Sequence, residues 1–455
     1  MSISKQLAAH ASGTHFDDLP AQAVAAVKRS LLDALGVTLA AGTLGQASRA
    51  FVETARSSGQ GPSRVIGFGF GAAPSLAALA NGAMSHALDY EDTHDAALVH
   101  PHGIALPAAL AVAQAVGGIT GAQFIAALAV GADISCRLGL AMADDDTRRG
   151  WTMRPLLGTY GAAAAVGKLL GLDEARMVQA FALAFNQATC SSGFLSSPNS
   201  HMREIRDAFG AQAAVIAAQL AARGVNAYDQ PIEGAHGLYA MYAGGRYDAA
   251  QLTSGLGRVF EGANVSFKAW PSCRGTHSFI EAALSLREEA PVAPASIARI
   301  DAVVSPTFRI LCEPLAQKRS PQTANDAKFS VPFSTAIALV HGRLSLADYL
   351  PPALGDPEVL AMAQRVHCEV CNDWNFDDSL RGILKLTLHD GRVWVREISR
   401  PLGDVRHPMS EAALLSKFMD CVRYAATPIA PERARRIAAG IATLERAPDL
   451  SALDV

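Results

Sequence analysis

From Gln22 to Gly42 apolar residues recur every three and four positions, the spacing of an amphipathic helix. A second helix is expected around Ser48 to Arg56. Ser63 to Phe68 is strand-like, and Pro74, a residue favoured at the first helical position, opens a new helix after Gly69-Phe70-Gly71. Helices are then predicted at about 103–117, 121–142, 159–170, 173–189 and 206–223. Several are apolar on all sides, the mark of buried helices. To about residue 260 the pattern predicts one large all-helical domain.

The pattern changes after Val265. Ile297 to Val304, Phe308 to Cys312 and Val366 to Val370 have strand composition. Leu384 to Val395 alternates apolar and polar on either side of Asp390-Gly391, a dipeptide preferred in two-residue hairpin turns. Helices are expected at Ser278–Glu289 and Ala327–His341, and after Pro401 at about 409–424 and 430–446. The fold class is therefore mostly α with a smaller α+β part. Residues 1–265 and 400–455 are expected to form the helical domain, and 266–399 the α+β domain. The sequence contains no internal repeat.

Composition narrows the function classes. Half of the 455 residues are hydrophobic and 18% are charged, as in a well-buried globular protein. A formal net charge of -3 gives no electrostatic reason to expect nucleic acid or an anionic membrane as partner. The N-terminus lacks a basic region followed by an apolar core, and apolar runs are broken before about 20 positions, so no signal peptide or membrane span is expected. Seven scattered cysteines suggest free thiols in a reducing, cytoplasmic setting.

The chemistry concentrates between residues 81 and 103. Four acids and four of the thirteen histidines fall there, beside stretches (Ala72–Ala87 and Gly103–Gly121) that carry no Lys, Arg, Asp or Glu. Acids and imidazoles between apolar helices are costly to bury unless paired or used. If Asp89 closes a helix, Thr93 lies one turn on and His100 folds back from a loop extended by Pro101. A carboxylate, a hydroxyl and an imidazole so placed can do general acid–base work. The bland alternative is a set of helix-end caps, with Asp92 and Asp95 free for that task.

A second group spans Lys268 to Glu281. Ser278 and Glu281 fit a capping box that starts a helix at 279, with Lys268, Arg274 and His277 upstream and Gly275 admitting a close approach. Cations before a helix N-terminus suit a carboxylate or phosphate. A solvated helix start with incidental charge is the alternative. Three resemblances to cofactor motifs fail. Gly67-Phe68-Gly69-Phe70-Gly71 is GxGxG without the following βαβ alternation. Gly161 to Lys168 has the wrong spacing for a P-loop. Cys368 and Cys371 lack a second pair at zinc spacing.

Four segments together carry a resemblance: NGAMSHALDYEDTH (81–94) with HPHG (100–103), GTYGAAAAVGKLLGL (158–172), WPSCRGTHSFIEAAL (270–284) and AKFSVPFSTAIALVHG (327–342). They resemble the MmgE/PrpD family, which includes 2-methylcitrate dehydratase, cis-aconitate decarboxylase and iminodisuccinate epimerase. The resemblance implies a large helical domain built from both chain ends, an α+β lid, an active site between them and a homodimer. It implies catalytic roles for Asp89, Thr93, His100 and Lys268, with Arg203 aligned to a second family lysine. Cys273 stands where the decarboxylase has a histidine, which favours a dehydratase relative. Thr152 replaces a family histidine, which puts the standard substrate in doubt.

The expected chemistry is removal of a proton next to a carboxylate of a small di- or tricarboxylic acid. Lys268, Arg274 and Arg203 would stabilise the developing charge, with Cys273 and His277 lining the same substrate site. His100 would be the principal acid–base group, with Asp89 orienting or relaying, and Thr93 would hold a substrate oxygen. A dehydratase serving propionate catabolism is the leading expectation, without metal or organic cofactor. Epimerisation, decarboxylation and non-catalytic carboxylate binding are the alternatives.

Overall fold

The computed structural model describes residues 1–142, 150–197, 200–289 and 292–454. They divide into two compact units, Met1–Phe267 with Ser410–Val455, and Lys268–Met409. The second boundary falls at 409 rather than near 400 because Pro401–Met409 is bonded into the second unit. Leu402 donates its N–H to Glu281 at 2.6 Å, and Arg274 donates to the Leu402 carbonyl at 3.0 Å.

The first unit begins with α1 (Ile3–Gly13), α2 (Ala21–Leu44) and α3 (Ser48–Ser57). The GxGxG stretch then proves to be a hairpin. Strands β1 (Ser63–Val65) and β2 (Phe70–Ala72) pair antiparallel, and Gly67 and Gly69 make the turn at φ +77° and +67°, which favour glycine. Next come α4 (Pro74–His86), α5 (Pro101–Val116), α6 (Gly121–Ala141), α7 (Met153–Leu169), α8 (Glu174–Phe185) and α9 (Met202–Ala222). Pro74 and Pro101 occupy first helical positions, where their missing N–H costs nothing.

Helices α5, α6 and α7 are buried nearly all round, and small residues let them approach. A Cβ on Gly131 would meet the Gly161 carbonyl at 2.7 Å, and one on Gly161 would meet the Gly131 carbonyl at 2.3 Å. Helix α6 is long and apolar enough to cross a membrane by length and composition, contrary to the expectation from the sequence, yet 94% of its apolar window is buried in the protein. Its Asp133 and Arg137 pair at 2.9 Å, and Asp133 also meets His10 of α1 at 2.9 Å. Pro107 inside α5 leaves the Gly103 carbonyl without its helical donor. Ser85 of α4 supplies one, its hydroxyl 2.5 Å from that oxygen.

The second unit is α+β. Its sheet has the order β4-β3-β5-β6, from β3 (Ile297–Val304), β4 (Val366–Val370), β5 (Gly382–Leu388) and β6 (Val393–Ile398). The β3–β4 pair is parallel and the others antiparallel. Gly391 turns the β5–β6 hairpin at φ +85°. Helices α10 (His277–Glu289) and α11 (Val331–His341) share the apolar core with β3 and β5.

Three local expectations are corrected. Phe308 to Cys312 is not a strand, for Pro306 opens a 3-10 turn over Pro306–Leu311. The helix expected from 327 to 341 breaks at Phe329. Ser330 then caps α11 by accepting from the Phe333 N–H at 3.0 Å, with Pro332 in the first turn. Ser278 and Glu281 form no capping box. The Ser278 hydroxyl donates to the Leu380 carbonyl, Glu281 accepts from Leu402, and α10 continues from a 3-10 turn at Arg274–Thr276.

The chain returns to the first unit through α12 (Glu411–Val422) and α13 (Pro431–Ala442). Phe418 of α12 packs on Gly36 of α2, where a Cβ would come within 2.9 Å of its ring. Lys417 and Asp33 make a buried ion pair at 2.6 Å.

Candidate functional site

Helix α4 ends at His86, and Asp89 takes a left-handed backbone (φ +50°). The chain then runs through Glu91 and Asp92 to Thr93, which bridges to Ser266. The Thr93 N–H meets the Ser266 carbonyl at 2.9 Å, and the reverse bond is 2.7 Å. Thr93 is therefore held in a two-stranded bridge, not one helical turn beyond Asp89. Its hydroxyl donates to the Val99 carbonyl at 3.3 Å. His100 directly precedes α5, and Pro101 starts that helix.

This loop folds back as the sequence suggested, bringing Asp89 and His100 together with two further groups. One donor atom each from His86, Asp89, Glu91 and His100 lies within 4.8 Å of the others, and the four side chains are almost entirely shielded from solvent. Glu91 Oε1 is 2.5 Å from His86 Nδ1 and 3.2 Å from His100 Nδ1. Two imidazoles and two carboxylates are also a donor set for a divalent transition ion. The sequence reading identified no such set, since His86 and Glu91 carried no separate signal in it.

A second layer braces the loop. Asp92 accepts from the Ser30 hydroxyl at 2.7 Å and from His102 Nδ1 at 2.6 Å. Asp92 is thus wholly buried and caps no helix, while Asp95 accepts from the Ser266 hydroxyl at 2.6 Å. Lys417 donates to the Tyr90 carbonyl at 2.7 Å and lies 3.8 Å over the Tyr90 ring. Burial pushes the Asp33 carboxyl up to about 6, against the pull of Lys417, and Asp92 and Glu91 add to the rise. On α9, burial raises Asp207, opposed by the charges of His86 and Arg206 and reinforced by Glu91. Burial lowers the His94 imidazole, with Glu261 and Asp95 opposing it.

Arg203 sits one turn before Asp207 on α9, its guanidinium 5.1 Å over the Phe194 ring. Arg206, which the sequence did not single out, is the buried cation of this helix, 3.4 Å from Asp207. Its signal was present, since Arg206-Asp207 is a charged pair in a helix otherwise rich in alanine. Thr152 is buried before α7, its N–H bonded to the Cys190 carbonyl at 3.0 Å.

In the second unit Lys268 is 1% exposed. Arg274 and His277 meet at 3.3 Å. Arg274 also donates to the carbonyls of Pro401 and Leu402, so part of its guanidinium holds the chain end of this unit. His277 is buried edge-on against Trp270, with ring centroids 5.3 Å apart. The Cys273 N–H bonds the Lys328 carbonyl at 3.0 Å. The close approach at Gly275 is made by Phe308, whose ring atoms would lie 2.4 Å from a Cβ. That glycine serves packing.

The chain is similar to known proteins over most of its length. A cis-aconitate decarboxylase-like protein of Aspergillus oryzae is 27% identical, over 96% of this chain and 93% of its own. The cis-aconitate decarboxylase of Mus musculus is 25% identical, over 92% and 86%. The 2-methylcitrate dehydratase of Escherichia coli (strain K12) is 28% identical, over 67% and 64%. The MmgE/PrpD N-terminal domain matches residues 5–251 and the MmgE/PrpD C-terminal domain residues 270–444, and the chain belongs to the MmgE/PrpD family.

Proposed function

We propose that this protein is a lyase acting on a small tricarboxylic acid, by proton transfer at a carbon next to a carboxylate. The observation that carries the reading is the buried meeting of His100, Asp89 and Glu91 at the end of α4. Because the Asp92 carbonyl can only accept, the His100 Nδ1 that meets it at 2.9 Å carries a proton. The basic nitrogen of the neutral ring is therefore Nε2. His100 Nε2 takes the proton, Asp89 orients the reacting group, and Thr93 contributes a hydroxyl for a substrate oxygen. Lys268, with Arg203 and Arg274, offers positive charge to the carboxylate that develops carbanion character, and Cys273 and His277 belong to the same substrate-binding set. The side chains supply acid, base and countercharge, so the proposed reaction uses neither metal nor organic cofactor. Activity unchanged by exhaustive chelation is the expected result.

Within this class we favour dehydration, on Cys273 within Ser272-Cys273-Arg274-Gly275-Thr276-His277, the position that is histidine in the decarboxylase. Decarboxylation is the second reading, supported by the greater coverage of the decarboxylase relatives. A homodimer in the cytoplasm completes the proposal, with propionate catabolism as its setting. The test is NMR in deuterated buffer with 2-methylcitrate, citrate and cis-aconitate. Deuterium incorporation with loss or gain of water supports the dehydratase, and loss of carbon dioxide supports the second reading. Thermal stabilisation by an acid without any exchange would leave a carboxylate-binding protein.

A further inference from the structure

Cys368 and Cys371, a pair in the sequence, are not partners in the fold. The β4 ladder continues past Val370, where the Cys371 N–H donates to the Val304 carbonyl of β3 at 2.9 Å. Residues three apart on an extended strand are about 10 Å apart and face opposite sides, beyond the roughly 7 Å that a disulfide spans between Cα atoms. Cys368 faces the apolar core of the second unit, as do Val366 and Val370. Its neighbour there is Cys312, 1% exposed, which follows the 3-10 turn Pro306–Leu311. The chain on each side of Cys312 is tied to the chain on each side of Cys368. Arg309 donates to the Asn372 side chain at 3.4 Å. Arg319, which ends the short helix Leu315–Arg319, donates to the Val366 carbonyl from Nε at 3.0 Å and from Nη2 at 2.6 Å. Between these ties the thiols of Cys312 and Cys368 are hydrogen-bonded, and both are free. The bond to Cys368 and burial push the Cys312 thiol up, against the charge of Lys318, so Cys312 keeps its proton. Cys368 is only half-buried and is the thiol of the two that a small solute reaches.

We propose that Cys312 and Cys368 form an oxidisable dithiol, a modification site for hydrogen peroxide that closes to a reversible disulfide. The Cys368 thiolate attacks one peroxide oxygen, forming an S–O bond and breaking the O–O bond. The hydroxide that leaves takes up the proton Cys368 released, giving water. The Cys312 sulfur then attacks the Cys368 sulfur, the S–O bond breaks, and the second hydroxide leaves with the Cys312 proton as water. Two thiols lose two electrons and one peroxide becomes two waters. Because Cys312 already touches Cys368, this second step outruns a further attack by peroxide, and Cys368 is spared irreversible oxidation. The link would pin to β4 the turn whose Phe308 packs on Gly275. The inference is independent of the proposed lyase chemistry.

The test treats the intact, reduced chain with hydrogen peroxide under native conditions, quenches it in acid, alkylates it in denaturant and maps the peptides by mass spectrometry. One Cys312–Cys368 cross-linked peptide is expected, two hydrogens lighter than its parts and lost on treatment with dithiothreitol. Cys371→Ser should form the same product, and Cys368→Ser should form none. In Cys312→Ser, Cys368 should pass to sulfinic acid about tenfold faster than in the native chain, or more. A native chain that gives a Cys368–Cys371 link, sulfinic acid on Cys368 beside a reduced Cys312, or no oxidation of either thiol would overturn the proposal. These three outcomes are read on the native chain, so none depends on a variant that folds.

Discussion

His100 is the residue on which the proposed chemistry turns, and its replacement separates chemistry from packing. His100→Ala is expected to lose about 10²- to 10⁴-fold in turnover, the usual worth of a positioned acid or base, while the melting temperature stays close to native. Parallel assays of turnover and thermal melting check this. Asp33 and Lys417 test the support behind the loop. The folded-state Asp33 carboxyl is raised to about 6 from 3.8, so the folded chain holds that proton more tightly than the unfolded one. Its contribution to stability is greatest below about pH 4 and is lost as pH rises through about 6. Lys417→Met should therefore cost about 1–3 kcal/mol at pH 5, where it removes the donor to the Tyr90 carbonyl, and about 3–5 kcal/mol at pH 8, where it also strands a buried carboxylate. Urea unfolding at the two pH values measures the difference. Asp89, Thr93 and His100 were legible as a polar island among apolar helices. The role of Asp92 was not, because its partners Ser30 and His102 lie 62 positions away and 10 positions on, and local spacing points equally well to a cap.

At the scale of elements, helices were easier to read than their ends. The apolar period located α2 and α4 through α9, and Asp390-Gly391 located the β5–β6 hairpin. Ser278 and Glu281 had the spacing of a capping box, but Leu380 and Leu402 took their side chains, a tertiary competition that no local rule contains. The α4–α5 contact offers a sharp test. Ser85→Ala removes the donor that replaces the N–H missing at Pro107 and leaves the buried Gly103 carbonyl unsatisfied, which costs about 1–3 kcal/mol. Ser85→Ala combined with Pro107→Ala should recover part of that loss, since the second substitution restores a backbone N–H that can donate to the Gly103 carbonyl. Equilibrium unfolding of the single and double variants gives the comparison.

For the whole molecule, the change from helical to alternating pattern after Val265 made the fold class readable, and the helical run after Pro401 pointed back to the first domain. The switch at 409 was hidden because Pro401–Met409 is held by bonds to Arg274 and Glu281, far back in the sequence. A chain ending at residue 409 lacks Lys417 and the Phe418 contact on α2, and is expected to yield a protease-sensitive or insoluble first unit. Limited proteolysis beside the full-length chain checks this. The bond between Lys417 and Tyr90 also has a consequence in time. Its partners are 327 positions apart, and at about 5–20 residues per second a ribosome takes roughly 16–65 s to make that interval. Throughout that delay the nascent Asp33 carboxylate has no lysine to meet, while the whole of Lys268–Met409 is made before Lys417 appears. The segment encoded in the middle can finish folding first, and the helical unit encoded on either side of it stays incomplete until translation ends.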